Sequence, residues 1–143
     1  MEQQALVEKA RQYCEEKGVR FTSLREKVYK ILLKHRNAVG AYDLLDELKE
    51  TEDSAKPATV YRALEFLLEL GMIHRLESNN SFIACRHFGC YHPVQFLICD
   101  ECGYVQEIQS EGLQEKLDKQ AESVGFKVTR QTIEAHGKCS RCP

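Results

Sequence analysis

The chain has no tryptophan, only three prolines and no long apolar run in its 143 residues. Without such a run nothing spans a bilayer, since a membrane helix takes about 20 consecutive apolar residues. A secretory leader is not expected either, because Met1 to Lys9 already carries charges at helical spacing. There is little excess charge, the formal net value being −2. The balance is nevertheless uneven. Met1 to Gly40 holds nine Lys/Arg against five Asp/Glu, and Ala41 to Ala84 holds four against nine. A basic N-terminal quarter suits either an anionic partner or a solvated helical face. Catalytic signatures are lacking too: there is no Ser-His-Asp pattern, no His-Glu-x-x-His and no glycine-rich phosphate loop. The expectation is a soluble, cytoplasmic protein that is not an enzyme, touches no membrane and takes no small organic substrate.

Cysteine, by contrast, is abundant, with seven residues. The number is odd, no export signal accompanies it, and four of the seven form two Cys-x-x-Cys pairs, Cys99/Cys102 and Cys139/Cys142. Metal ligation explains this better than a disulfide framework. Thiolates at i and i+3 grip one ion from a tight turn, and zinc takes four ligands tetrahedrally. A closed shell of four thiolates leaves no open coordination position, so the site is expected to be structural. A redox pair of thioredoxin type would sit at a helix N-terminus after a strand, and neither pair does.

Apolar periodicity predicts helices at Ala5–Lys17, Ser23–His35, Tyr42–Lys49 and Ala58–Leu70. Thr22 or Ser23 caps the second, and Pro57 suits the first turn of the fourth. Two short apolar runs, Met72–Leu76 and Phe82–Ala84, flank an Asn79-Asn80 turn and read as a hairpin. Helices followed by a hairpin are the order of a winged helix-turn-helix domain, here residues 1–84. Residues 85–93, with two His, a Cys, Gly89 and Pro93, read as a hinge. Beyond it, strands at Val94–Ile98, Gly103–Ile108 and Phe126–Ala135 with a helix at Glu111–Val124 make a small domain over 94–143. The fold class is α+β. Thr59, Tyr61 and Arg62 point outward from the opening turns of the fourth helix, as a major-groove reading helix requires.

Pro57-Ala-Thr-Val-Tyr-Arg-Ala-Leu64, then Cys99-Asp-Glu-Cys102-Gly and a terminal Cys-x-x-Cys, resembles the Fur (ferric uptake regulator) family over essentially the whole chain. The resemblance implies a metal-dependent repressor that binds double-stranded operator DNA as a homodimer, with residues 94–143 as an α/β dimerisation domain. It implies DNA contacts by Tyr42, Tyr61 and Arg62, with Arg20, Arg25 and Lys27 along the backbone.

The iron-sensing members carry a histidine run before the strand leading to the first cysteine pair, where this chain has Cys90-Tyr-His92-Pro-Val with a single His. Ala41-Tyr-Asp-Leu-Leu45 and Ile133-Glu-Ala-His-Gly-Lys-Cys139 resemble the zinc uptake branch of the family instead. A second zinc site is expected near the hinge from His74, Cys85, His92 and Glu107, a donor set of two nitrogens, one thiolate and one carboxylate that zinc accepts. That makes two Zn2+ per subunit, one structural and one regulatory. His87 and Cys90 are a further His/Cys pair in the hinge to which no ligand role is assigned, a third ion or substitution for one of the four being the lesser reading. The rival readings are an iron, manganese or peroxide sensor of the same family, and a zinc-ribbon adaptor that binds no DNA.

Overall fold

A computed structural model describes residues 2–89, 94–129 and 131–143. The chain divides into two compact units, Met1–Cys90 and Tyr91–Pro143.

The N-terminal unit opens with α1 (Glu2–Glu16) and α2 (Ser23–Lys34). Thr22 caps α2, its hydroxyl accepting the Arg25 N–H at 3.3 Å, which satisfies one orphan donor of the first turn. A two-residue strand, β1 (Val39–Gly40), leads into α3 (Ala41–Lys49), followed by α4 (Pro57–Glu69). Proline sits at the start of α4, where a missing N–H costs nothing. The wing is β2 (Ile73–Leu76) and β3 (Ser81–Ala84), antiparallel, with Arg75 opposite Phe82. Its turn passes through Asn80 at φ 51°, a left-handed conformation that asparagine tolerates better than most residues. Strand β1 pairs with β3 through Val39 and Phe82, which ties the start of α3 to the wing.

One apolar core joins these elements. It includes Val28, Tyr29, Leu32 and Leu33 of α2, Leu44 and Leu48 of α3, Val60, Leu64 and Leu67 of α4, and Met72, Ile73 and Phe82 of the wing. It continues past the wing. Cys85 is fully buried, and its N–H donates to the Met72 carbonyl at 2.9 Å. Arg86 donates to the Leu33 carbonyl at the end of α2 at 3.1 Å. Phe88 stands edge-on to both Tyr13 and Tyr29, and Lys9 donates to its carbonyl at 2.9 Å. Of residues 85–89, expected to begin the hinge, Cys85 and Phe88 are therefore built into the N-terminal core, while His87 and Gly89 are exposed. The reason is that segment's own aromatic and cationic side chains, which find partners on α1 and α2.

The C-terminal unit is a three-stranded sheet, among the described residues, of order β5-β4-β6, with a helix. Strand β4 (Val94–Cys99) lies antiparallel to β5 (Val105–Ile108) and parallel to β6 (Thr132–Gly137). Helix α5 (Glu111–Ser123) makes the crossover between β5 and β6. Strand β6 begins at Thr132, well after the Phe126 expected from the apolar pattern, because its pairing with β4 starts at Thr132 opposite Val94. A strand exists only where a partner runs beside it. Buried apolar side chains are few here, chiefly Phe96, Ile98 and Val105. Leu113 and Leu117 of α5 are 41% and 43% exposed, with Val124 and Phe126 more so, leaving an apolar stripe on one subunit.

Truncating Phe88 tests the placement of 85–89. Phe88→Ala should destabilise the N-terminal unit by about 3–5 kcal/mol, the usual cost of deleting a buried aromatic ring. Urea unfolding followed by tyrosine fluorescence reads this, and a loss below about 1 kcal/mol would place the segment outside the core.

Candidate metal centres and DNA-facing surface

Two tight turns build the first centre. Cys99 ends β4, and Gly103, at φ 78°, donates its N–H back to the Cys99 carbonyl at 3.0 Å. Cys142 closes a second turn, its N–H donating to the Cys139 carbonyl at 3.2 Å. The parallel pairing of β4 with β6 brings the turns together, since Cys99 lies opposite Gly137. All four sulfurs, of Cys99, Cys102, Cys139 and Cys142, lie within 4.8 Å of one another. The Cys99–Cys142, Cys102–Cys139 and Cys139–Cys142 separations are 3.7, 3.6 and 3.6 Å. These are far too long for disulfide bonds. They match the edge of a tetrahedron of thiolates around zinc, about 3.8 Å for Zn–S bonds of about 2.3 Å. The donor set therefore fits one zinc ion.

The protons of the set are unevenly held. N–H groups of Cys102 and Cys139 pull the Cys99 thiol down to about 6, and the Cys139 N–H lies 3.4 Å from its sulfur. Hydrogen bonding to the neighbouring Cys139 sulfur, followed by burial, pushes Cys142 up to about 12. Ligation requires every sulfur deprotonated, so loading the site must release protons.

Two of the four residues expected for the second centre belong to the N-terminal unit. His74 is on β2, and Cys85 follows β3 directly. Pairing of β2 with β3 sets Ile73 against Ala84, and a ring nitrogen of His74 lies within 4.8 Å of the Cys85 sulfur. The His87 N–H points at that sulfur from 3.4 Å, the kind of contact that stabilises a ligating thiolate. Glu107 is on β5 of the C-terminal unit, half-buried. His92, and Cys90 of the further pair, lie outside the described residues.

The DNA-facing candidates fall into two groups. Tyr42, 74% exposed at the start of α3, and Tyr61, 42% exposed on α4, line one shallow pocket with Ala41, Leu45, Pro57 and Val60. Arg62 and Arg20 are also exposed. The others are already engaged. The Thr59 hydroxyl accepts the Lys56 N–H at 3.3 Å, closing the first turn of α4. Arg25 lies 3.8 Å over the Phe66 ring and donates to the Arg20 carbonyl at 2.6 Å, so it fastens α2 to α4. Lys27 pairs with Glu52 at 2.6 Å. Sequence spacing could not reveal Phe66 and Glu52 as the partners of Arg25 and Lys27, since they come from other elements.

The sequence pattern of the ferric uptake regulator family matches residues 16–136. The chain belongs to the ferric uptake regulator family. Within that family it is 43% identical over 140 residues to the zinc uptake regulation protein of Escherichia coli K12, covering 97% of this chain and 82% of that protein. Its structure is similar to that of a zinc uptake regulator complexed with zinc and DNA, with a TM-score of 0.94 and 42% identity over 98% of this chain and 94% of that one. The crystal structure of holo XcZur matches with a TM-score of 0.88 and 39% identity, covering 96% of each chain. The family is one of regulators, in keeping with the absence of catalytic motifs. No helix among the described residues is long and apolar enough to cross a membrane.

Zinc uptake by the metal-free chain should release protons, and the affinity should fall as pH drops from about 8 to 6. A pH-indicator titration reads the release, and uptake without protons would contradict the assignment. Cys102→Ser should lower the zinc content by one ion per subunit and cost the C-terminal unit its fold, which metal analysis and amide exchange detect. An unchanged zinc content would remove Cys102 from the ligand set.

Proposed function

We propose that this chain is a zinc-responsive transcriptional repressor that binds operator DNA as a homodimer and controls zinc-uptake genes. The observation that carries the reading is its near-complete structural likeness to a zinc uptake regulator held with zinc and DNA. Two zinc ions per subunit serve separate purposes. Zinc at Cys99, Cys102, Cys139 and Cys142 supplies a cross-link between the two turns. The regulatory ion is held by His74 and Cys85 from the N-terminal unit and by His92 and Glu107 from the C-terminal unit. Closeness of His74 to Cys85, and the His87 N–H at the Cys85 sulfur, support this. A thiolate in the set favours zinc over manganese and other oxygen-preferring ions.

Donors drawn from both sides of the 90–91 boundary restrict how the two units move when they share an ion. In a dimer, the reading helices must reach major grooves about 34–36 Å apart, one helical turn. Zinc then favours the competent arrangement only through its greater affinity for it. A tenfold gain in operator affinity requires about 1.4 kcal/mol of coupling. The exposed stripe of Leu113, Leu117 and Phe126 suits a subunit contact. Tyr42, Tyr61 and Arg62 are placed for operator contact, and the cytoplasm is where a regulator of this kind meets DNA.

Cys85→Ala should leave the four-cysteine zinc in place and weaken zinc-dependent operator binding. A gel shift at buffered zinc activity tests this, and wild-type affinity across the titration would refute it. Arg62→Ala should reduce operator affinity at saturating zinc by about 1–3 kcal/mol, the range for a base-edge contact. A loss below about 0.5 kcal/mol would take Arg62 off the DNA.

A further inference from the structure

Many cations of the N-terminal unit are already engaged. Arg11, Lys27, Lys30 and Lys34 pair with carboxylates, and Lys9, Arg25 and Arg86 donate to backbone carbonyls. Arg75, on β2 of the wing, is held in another way. Its guanidinium stands 5.5 Å from the ring centre of Phe82, its neighbour across the β2–β3 pair. Phe82 is only 1% exposed and belongs to the core, whereas Arg75 is exposed. Among the described residues the Arg75 side chain makes no ion pair and no hydrogen bond. Stacking on an aromatic face orients a guanidinium and leaves its N–H edge free for an acceptor. It also reduces the rotamer freedom that the side chain gives up on binding.

The place of the wing in the fold supplies the acceptor. Strand β2 follows α4 after a turn at Gly71, packs against α4, and is the outer strand of the order β1-β3-β2. Major and minor grooves alternate along one face of a duplex, so an element packed beside a major-groove helix meets a minor groove. The wing brings Arg75 there, with Asn79 and Asn80 in its turn, and these residue types bond the minor-groove edges of bases. Arginine in that groove favours A·T pairs, because A·T tracts narrow it and concentrate its negative potential.

We propose that Arg75 is a specificity-determining residue of the operator complex, its guanidinium entering the minor groove beside the major groove that α4 reads and selecting A·T pairs there. The inference rests on the reading of this chain as a zinc-dependent operator-binding repressor. It gives the wing a share of sequence selection that Tyr61 and Arg62 do not supply.

The test starts from an operator selected out of random duplexes by the wild-type chain at saturating zinc. The A·T pairs flanking its core are replaced by I·C, which keeps the minor-groove edge of A·T, or by G·C, which adds the guanine amino group there. Wild type should bind A·T and I·C flanks alike and G·C flanks about tenfold more weakly, within the usual cost of a mismatched pair. Arg75→Gln still covers Phe82, so it should unfold at the wild-type urea concentration and bind all three duplexes equally. Arg75→Lys should lose most of the preference, since an ammonium is more strongly hydrated than a guanidinium. An Arg75→Gln chain that still disfavours G·C flanks overturns the proposal, whether its affinity is unchanged or uniformly lower, as a phosphate contact would make it. A selected operator without flanking A·T pairs also overturns it. If wild type selects no duplex in a zinc-dependent way, the repressor reading falls, and this inference with it.

Discussion

Four sulfurs within 4.8 Å of one another pose an electrostatic problem that only a bound cation solves. As thiols they are weak partners, and as thiolates they repel. The fold tolerates the arrangement because two turns at one end of the sheet, after β4 and after β6, hold the residues by backbone hydrogen bonds. The C-terminal unit spans Tyr91–Pro143 and buries few large apolar side chains. A unit of that size gains little from hydrophobic burial, and a metal cross-link there would make up what the core lacks.

The N-terminal unit is organised differently. Its core is continuous and apolar. It takes in Cys85 and Phe88 beyond the wing, so that Cys85, a ligand of the proposed second site, has rigid neighbours on the side of α2 and the wing. Packed interiors do not deform smoothly, so a ligand anchored this way would transmit strain.

In the proposed reading the two centres divide the labour between stability and response. A closed four-thiolate shell has no open coordination position and suits a structural ion. The proposed regulatory set of His74, Cys85, His92 and Glu107 takes ligands from both sides of the 90–91 boundary in the sequence, and a thiolate in that set favours zinc.

The sequence by itself determined the helices of the N-terminal unit, the hairpin wing and the cysteine pairs. These depend on local periodicity, turn residues and i,i+3 ligand spacing, all of which are written along the chain. It did not determine where β6 begins, because the parallel pairing to β4 fixes that start from a distance. Nor did it reveal that Arg25 and Lys27 are engaged by Phe66 and Glu52, which are remote in sequence. Periodicity alone does not single out the buried face of α2, where Val28, Tyr29, Leu32 and Leu33 are buried and Ile31 is half-buried. Which side of a helix is buried depends on what packs against it, and here Phe88 lies against the Tyr29 ring. Only the tertiary structure brought Tyr29 into one core with Cys85, because the two are 56 positions apart and share no motif.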